Sequence, residues 1–223
     1  MFLKCDIIKG EDNMLKRGKF CYLEVGIFFS LLMAYMWVIM PLGKEVINYF
    51  FLVFLVIFTV ASHFWHRVGL KKLGIRLDNF FPALKILMPV TLTVVCLFLA
   101  TGWLLKSVRL NKGFMISLIT YPVWGMVQQY ALQSFVNVRL KDVVKNEYLA
   151  AFVCAVLFAA VHLPNMWLTA FCFIGGYFIS FFFGRRPNLF AAGIVHGVLA
   201  TSLSHSVSKS ILHGMVVGPG YYR

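Results

Sequence analysis

Seven apolar stretches alternate with short polar stretches along the chain. They cover residues 20–41, 46–65, 84–105, 114–138, 148–163, 166–183 and 188–205, and charged or turn-forming residues bound each of them. A transmembrane helix needs roughly 20 mainly apolar residues, so the pattern predicts seven spanning helices. The tail 206–217 would add an eighth helix if it were inserted. The short run 148–163 is expected to continue past Pro164 or to stop inside the protein.

Composition supports a membrane location for these helices. The 223 residues are 61% hydrophobic and 13% charged, whereas an ordinary soluble domain has about 25% charged residues. A soluble fold of this length has too small an interior to hide so much apolar surface. We therefore expect an all-α fold, a polytopic membrane bundle of about seven to eight transmembrane helices.

Three regions are expected along the chain. Residues 1–113 would hold an N-terminal cytoplasmic segment, three transmembrane helices and a basic amphipathic surface segment at 66–85. Residues 114–205 form a core that carries most of the unusual polar residues, and residues 206–223 form a C-terminal tail.

The net charge of +13 comes from Lys and Arg in the short loops. With seven spans and a cytoplasmic N-terminus, 15 basic residues fall on the cytoplasmic side and 6 on the other. Because basic loops stay in the cytoplasm, this bias predicts a cytoplasmic N-terminus. No basic patch is interleaved with exposed aromatic residues, so nucleic acid is not an expected partner. The five cysteines form no Cys-x-x-Cys pair, and no disulfide framework is expected.

Polar side chains lie deep inside three of the apolar runs. Gln128, Gln129 and Gln133 lie in WGMVQQYALQSF, His162 lies in LFAAVHLPN, and His196 lies in LFAAGIVHGVLA. Counted along straight helices, Gln128, His162 and His196 lie about 16, 22 and 15 Å from the same membrane face. A polar group in hydrocarbon needs a partner, so we expect these residues to share one site.

The residue types allow more than one interpretation. Gln129 and Gln133 share a helical face with Asn137, and these amides could serve only to hold helices together. Alternatively, His162 or His196 could act as a base, with a Gln128 or Gln129 amide as an oxyanion donor. Two histidines and two glutamines offer no anionic ligand, so a metal such as zinc is possible but disfavoured at this site, and no cofactor is expected.

The remaining titratable residues carry weaker signals. His63 and His66 flank Trp65 near a predicted membrane interface, where simple interfacial placement is expected. All eight acidic residues fall in loops or near predicted helix ends.

The order of the polar motifs resembles the CaaX-protease and bacteriocin-processing (Abi) family of intramembrane endopeptidases. That family has Glu-Glu-x-x-x-Arg, then Phe-x-x-x-His, then His-x-x-x-Asn on separate helices. This chain has Gln128-Gln129-x-x-x-Gln133, then Phe158-x-x-x-His162, then His196-x-x-x-Ala200. The resemblance covers roughly 114–205, which would form a protease-like core. In the family, a carboxylate is thought to activate water, while the histidines and the asparagine position it and stabilise the oxyanion.

The resemblance implies an endopeptidase that hydrolyses a peptide bond of a membrane-anchored protein or peptide. The catalytic candidates are Gln128, Gln129, Gln133, His162 and His196. Because a glutamine amide cannot take a proton, the sequence leaves turnover open. The alternatives are an inactive relative that binds a membrane peptide as a scaffold or immunity factor, and a small transporter. The transporter is disfavoured because no buried acid or buried Lys/Arg marks a coupling site. The expected location is the bacterial inner membrane.

Overall fold

The computed structural model describes residues 20–222, and the predicted cytoplasmic segment 1–19 lies outside them together with Arg223. Regular structure in the described part is entirely helical. The α-helices are α1 (20–34), α2 (Glu45–Trp65), α3 (Phe80–Leu104), α4 (Lys112–Gln129), α5 (Val138–Val143), α6 (Glu147–Ala160), α7 (Met166–Arg185), α8 (Leu189–Ser206) and α9 (Lys209–Leu212). A π-helical turn, Tyr35–Ile39, extends α1, and a π-helical segment, Tyr130–Asn137, joins α4 to α5.

All seven predicted apolar runs are helical, which confirms the fold class. Within residues 20–222, five helices are long and apolar enough to cross a membrane, namely Phe20–Leu42, Glu45–Trp65, Phe80–Leu104, Met166–Arg185 and Leu189–Ser206. The chain from α4 through α5 is also continuously helical, but it carries the polar stripe. Helix α6 has 14 residues, about 21 Å at 1.5 Å per residue. In the tail, α9 has only four residues, so the tail adds no eighth spanning helix.

The turn between α6 and α7 carries His162 and is covered by the C-terminal tail. Asn165 caps α7 by accepting from the amide of Leu168, 3.2 Å away. Its own amide donates to the carbonyl oxygen of Leu212 at 2.7 Å. The amide of Gly218 donates to the carbonyl of Leu163 at 2.8 Å. The tail thus closes the turn by hydrogen bonding to groups that α6 and α7 leave unpaired.

Basic loops gather at one end of the bundle. Lys72 pairs with Asp142 at 2.5 Å, and the amide of Leu189 donates to the carbonyl of Gly74 at 2.8 Å. The predicted amphipathic segment 66–85 is not one regular element: residues 66–79 form turns and irregular backbone, and α3 begins at Phe80. Its placement on the membrane surface stays a prediction. Positive φ at Gly74, +75°, favours the turn over a surface helix there.

Close packing of α4 on α8 places the polar stripe beside His196. A Cβ added at Gly197 would lie 2.3 Å from the backbone nitrogen of Pro122, and one added at Gly193 would lie 2.2 Å from Met126 Cγ. Only glycine allows the two backbones to approach this closely.

Candidate functional site

An amide ladder lines the π-helical segment and the last residue of α4. Gln129, Gln133 and Asn137 are buried, with 0, 0 and 1% of their surface exposed. The amide nitrogen of Asn137 donates to Gln133 Oε1 at 2.8 Å, and the amide nitrogen of Gln133 donates to Gln129 Oε1 at 3.0 Å. The three side chains therefore form one directed chain of hydrogen bonds.

Ser180 of α7 determines the direction of this ladder. The amide nitrogen of Asn137 also donates to the backbone carbonyl of Ser180, at 2.9 Å. A carbonyl can only accept, so the NH₂ group of Asn137 must face it. That choice orients the amide of Gln133, whose second N–H donates to the Ser180 hydroxyl at 2.9 Å, and in turn the amide of Gln129.

The ladder ends on His196 of α8. Gln129 Nε2 lies 3.0 Å from His196 Nδ1, and the NH₂ group of glutamine can only donate. Nδ1 must therefore be the acceptor, and a neutral His196 carries its single proton on Nε2. His196 thus offers an N–H donor on the side of the ring that faces away from the ladder.

His162 has the opposite arrangement. Its Nδ1 lies 2.6 Å from the backbone carbonyl oxygen of Phe158, one turn earlier. The carbonyl is an acceptor, so Nδ1 holds the proton and Nε2 of a neutral His162 keeps a free lone pair. One histidine therefore presents a proton acceptor and the other presents a donor.

Both histidine rings contact the ring of Phe158. Its centroid lies 4.7 Å from that of His162 and 5.8 Å from that of His196, each in an edge-on arrangement. The structure thus brings together the two histidines and the predicted Gln129–Gln133 pair. The catalytic roles of these residues stay predictions.

Gln128 does not join this group. It is half-buried, and no hydrogen bond to it is found among the described residues. Gln128 and Gln129 are consecutive and point about 100° apart around the helix, so only Gln129 meets the ladder. Sequence reasoning also missed Ser180, because a single serine in the apolar run FISFF carries no chemical signal by itself.

A second polar group corrects two sequence-based expectations. His63 is not simply placed at an exposed membrane interface but is buried against other helices: it is 6% exposed, and its Nδ1 lies 3.2 Å from Nη1 of Arg139, which is itself 1% exposed. Arg139 also contacts Glu24 at 3.3 Å. The expectation of no buried acid and no buried Lys or Arg is therefore wrong, because Glu24 and Arg139 are 8 and 1% exposed. Residues 115 positions apart form this pair, so no local sequence pattern indicates it.

Comparison with known proteins gives one family. The family model described as type II CAAX prenyl endopeptidase Rce1-like matches residues 98–202. No curated protein and no solved structure matches the chain. The matched range contains the amide ladder, Ser180 and both histidines.

Proposed function

Because residues 98–202 match the family model of Rce1-like type II CAAX prenyl endopeptidases, we propose that this chain is a working intramembrane endopeptidase in which His162 replaces the missing carboxylate. It hydrolyses a peptide bond of a membrane-anchored protein or peptide, and the family's name makes a prenylated C-terminal segment the first substrate to test. The mechanism uses only protein side chains and water.

His162 is the proposed general base. Its free Nε2 accepts a proton from a water molecule, whose oxygen then attacks the carbonyl carbon of the scissile peptide bond. When the tetrahedral intermediate collapses, the C–N bond breaks and the imidazolium returns the proton to the leaving amine. The carbonyl of Phe158 holds the ring in this tautomer throughout, since it accepts from Nδ1 at 2.6 Å.

His196 is the proposed oxyanion donor. As the carbonyl carbon becomes tetrahedral, its oxygen gains negative charge and accepts from the Nε2–H of His196. The donor is preoriented, because the ladder from Asn137 through Gln133 and Gln129 keeps the proton off Nδ1. Glutamine at 129 serves this role directly: a glutamate there would accept from Nδ1 and leave Nε2 without its proton.

The opposite tautomers of the two histidines, set by separate hydrogen bonds, carry this proposal. The test is a processing assay on membranes that contain the full chain and a prenylated reporter peptide. His162→Ala and His196→Ala should each lower the rate of release of the C-terminal fragment by at least about 10²-fold, while Cys96→Ser, an exposed control, should not change it. Normal processing by both histidine variants would refute the catalytic role.

A second function, binding without cleavage, is favoured by one observation. No carboxylate of the described residues forms a hydrogen bond or ion pair with His162 or His196. Gln128, at the position of the first family glutamate, has no hydrogen-bond partner among the described residues. In this case the reporter peptide would be captured by photo-crosslinking without release of product. Gln128→Glu should then create cleavage activity, whereas in a working His162 enzyme it should give little gain.

A further inference from the structure

A second buried polar group, the α1 cluster, lies away from the amide ladder and plays no part in the proposed reaction. It joins α1 to the C-terminal end of α2 and to α5. Its members are Cys21, Glu24, Ser62, His63, His66 and Arg139. All but His66 are buried, and the side chain of His66 is 7% exposed.

We propose that Cys21, Glu24 and His66 of this cluster bind a divalent transition-metal ion of the zinc type. The sulfur of Cys21, a carboxylate oxygen of Glu24 and an imidazole nitrogen of His66 all lie within 4.8 Å of one another. Thiolate, carboxylate and imidazole are the three side-chain ligands that Zn²⁺ uses in proteins. Cys21 and Glu24 are three residues apart, so they lie on one face of α1.

The state of His66 is the observation that points to an ion. Its Nε2 lies 2.9 Å from Glu24 Oε2, but the two atoms are not aligned as a hydrogen bond, and the buried Nε2 has no hydrogen-bond partner. An imidazole nitrogen and a carboxylate oxygen this close repel each other unless a proton or a cation lies between them. A shared metal ion would satisfy both lone pairs without requiring a linear N–H···O arrangement.

Both oxygens of the Glu24 carboxylate have a protein partner, but the hydrogen bond to Oε2, the oxygen that faces His66, is the longer one. Ser62 donates to Glu24 Oε1 at 2.7 Å, and Arg139 donates to the Ser62 hydroxyl at 2.6 Å. The contact of Arg139 Nε with Oε2 is longer, 3.3 Å. Such outer hydrogen bonds commonly orient metal-binding carboxylates. The thiolate and the carboxylate would balance the two charges of the ion, and the guanidinium of Arg139 would stay paired with the carboxylate.

The ion would fasten helix α1 to the C-terminal end of α2. Helix α1 buries only one narrow face, which includes Cys21, Glu24, Val25 and Phe28. A metal bound by two ligands from α1 and one from His66 would hold this loosely packed helix against the end of α2.

Metal binding is tested on the purified full chain in detergent. After incubation with ZnCl₂ and removal of excess metal, elemental analysis should find one zinc per chain. Replacement by Co²⁺ should produce a thiolate-to-cobalt charge-transfer band. Cys21→Ser, Glu24→Gln and His66→Gln should each weaken Co²⁺ binding at least about 10-fold, and Cys96→Ser should leave it unchanged.

A second measurement needs no variant. In the unaltered chain, ZnCl₂ should slow alkylation of Cys21 but not that of the exposed Cys96, as followed by mass spectrometry. The proposal is overturned if the chain does not retain one zinc ion. It is also overturned if all three variants bind Co²⁺ as tightly as the unaltered chain does, or if zinc leaves the alkylation rate of Cys21 unchanged. None of these results depends on whether the chain cleaves a peptide.

Discussion

Glutamine substitutions at the two histidines distinguish a proton acceptor from a hydrogen-bond donor. A glutamine amide reaches nearly as far as the Nε2 atom of histidine and can donate a hydrogen bond, but it cannot take a proton. If His162 is the base and His196 the oxyanion donor, His162→Gln removes the essential function, whereas His196→Gln keeps a donor in place. The two variants should therefore differ although the chemical change is the same.

The expected magnitudes follow from the two roles. Loss of the base should lower kcat/KM of His162→Gln by about 10²–10⁴-fold, which corresponds to roughly 3–5 kcal/mol of transition-state stabilisation. His196→Gln should lose about 10-fold or less, and His196→Ala, which has no donor, should lose about 10²–10³-fold. The glutamine at 196 also has to satisfy the buried amide of Gln129, so thermal unfolding of each variant separates lost stability from lost chemistry.

The assay is the initial rate of product release from the prenylated reporter peptide, with each variant compared at equal amounts of folded protein. The tautomer assignment fails if His196→Gln is as impaired as His162→Gln. It also fails if the order is reversed, since His196 would then be the base.

Other predictions follow from the ladder and the helix packing. Gln129→Glu should place the proton of His196 on Nδ1 and lower kcat/KM by about 10²–10³-fold; an unchanged rate would exclude His196 as donor. Asn137→Leu leaves two buried oxygens without their donor and should lower the free energy of unfolding by about 1–3 kcal/mol, as measured by chemical denaturation in micelles. Gly197→Ala should push α8 away from α4 and lower the free energy of unfolding by about 1–3 kcal/mol. Its control, Gly175→Ala, meets no atom within 4 Å and should not lower the free energy of unfolding, since alanine is the better helix former.

The helices and much of the site composition could be predicted from the sequence. The seven apolar runs correspond to helices whose ends differ from the predicted ones by a few residues, because hydrophobicity and helix length are local properties matched to the bilayer. The spacing of Gln129, Gln133 and Asn137 likewise placed three amides on one face. The order of polar motifs pointed to CAAX-type endopeptidases, and the family model that matches residues 98–202 carries the same description.

Only the tertiary structure decided which groups meet and in which protonation state. Gln129 and His196 are 67 positions apart, and Ser180 orients the ladder from a third helix. The same holds for Glu24 and Arg139, whose burial no local pattern indicated. The direction of the amide ladder depends on the backbone carbonyl of Ser180, which can only accept. Helix packing brings that carbonyl to Asn137, and no sequence neighbour of Asn137 indicates it.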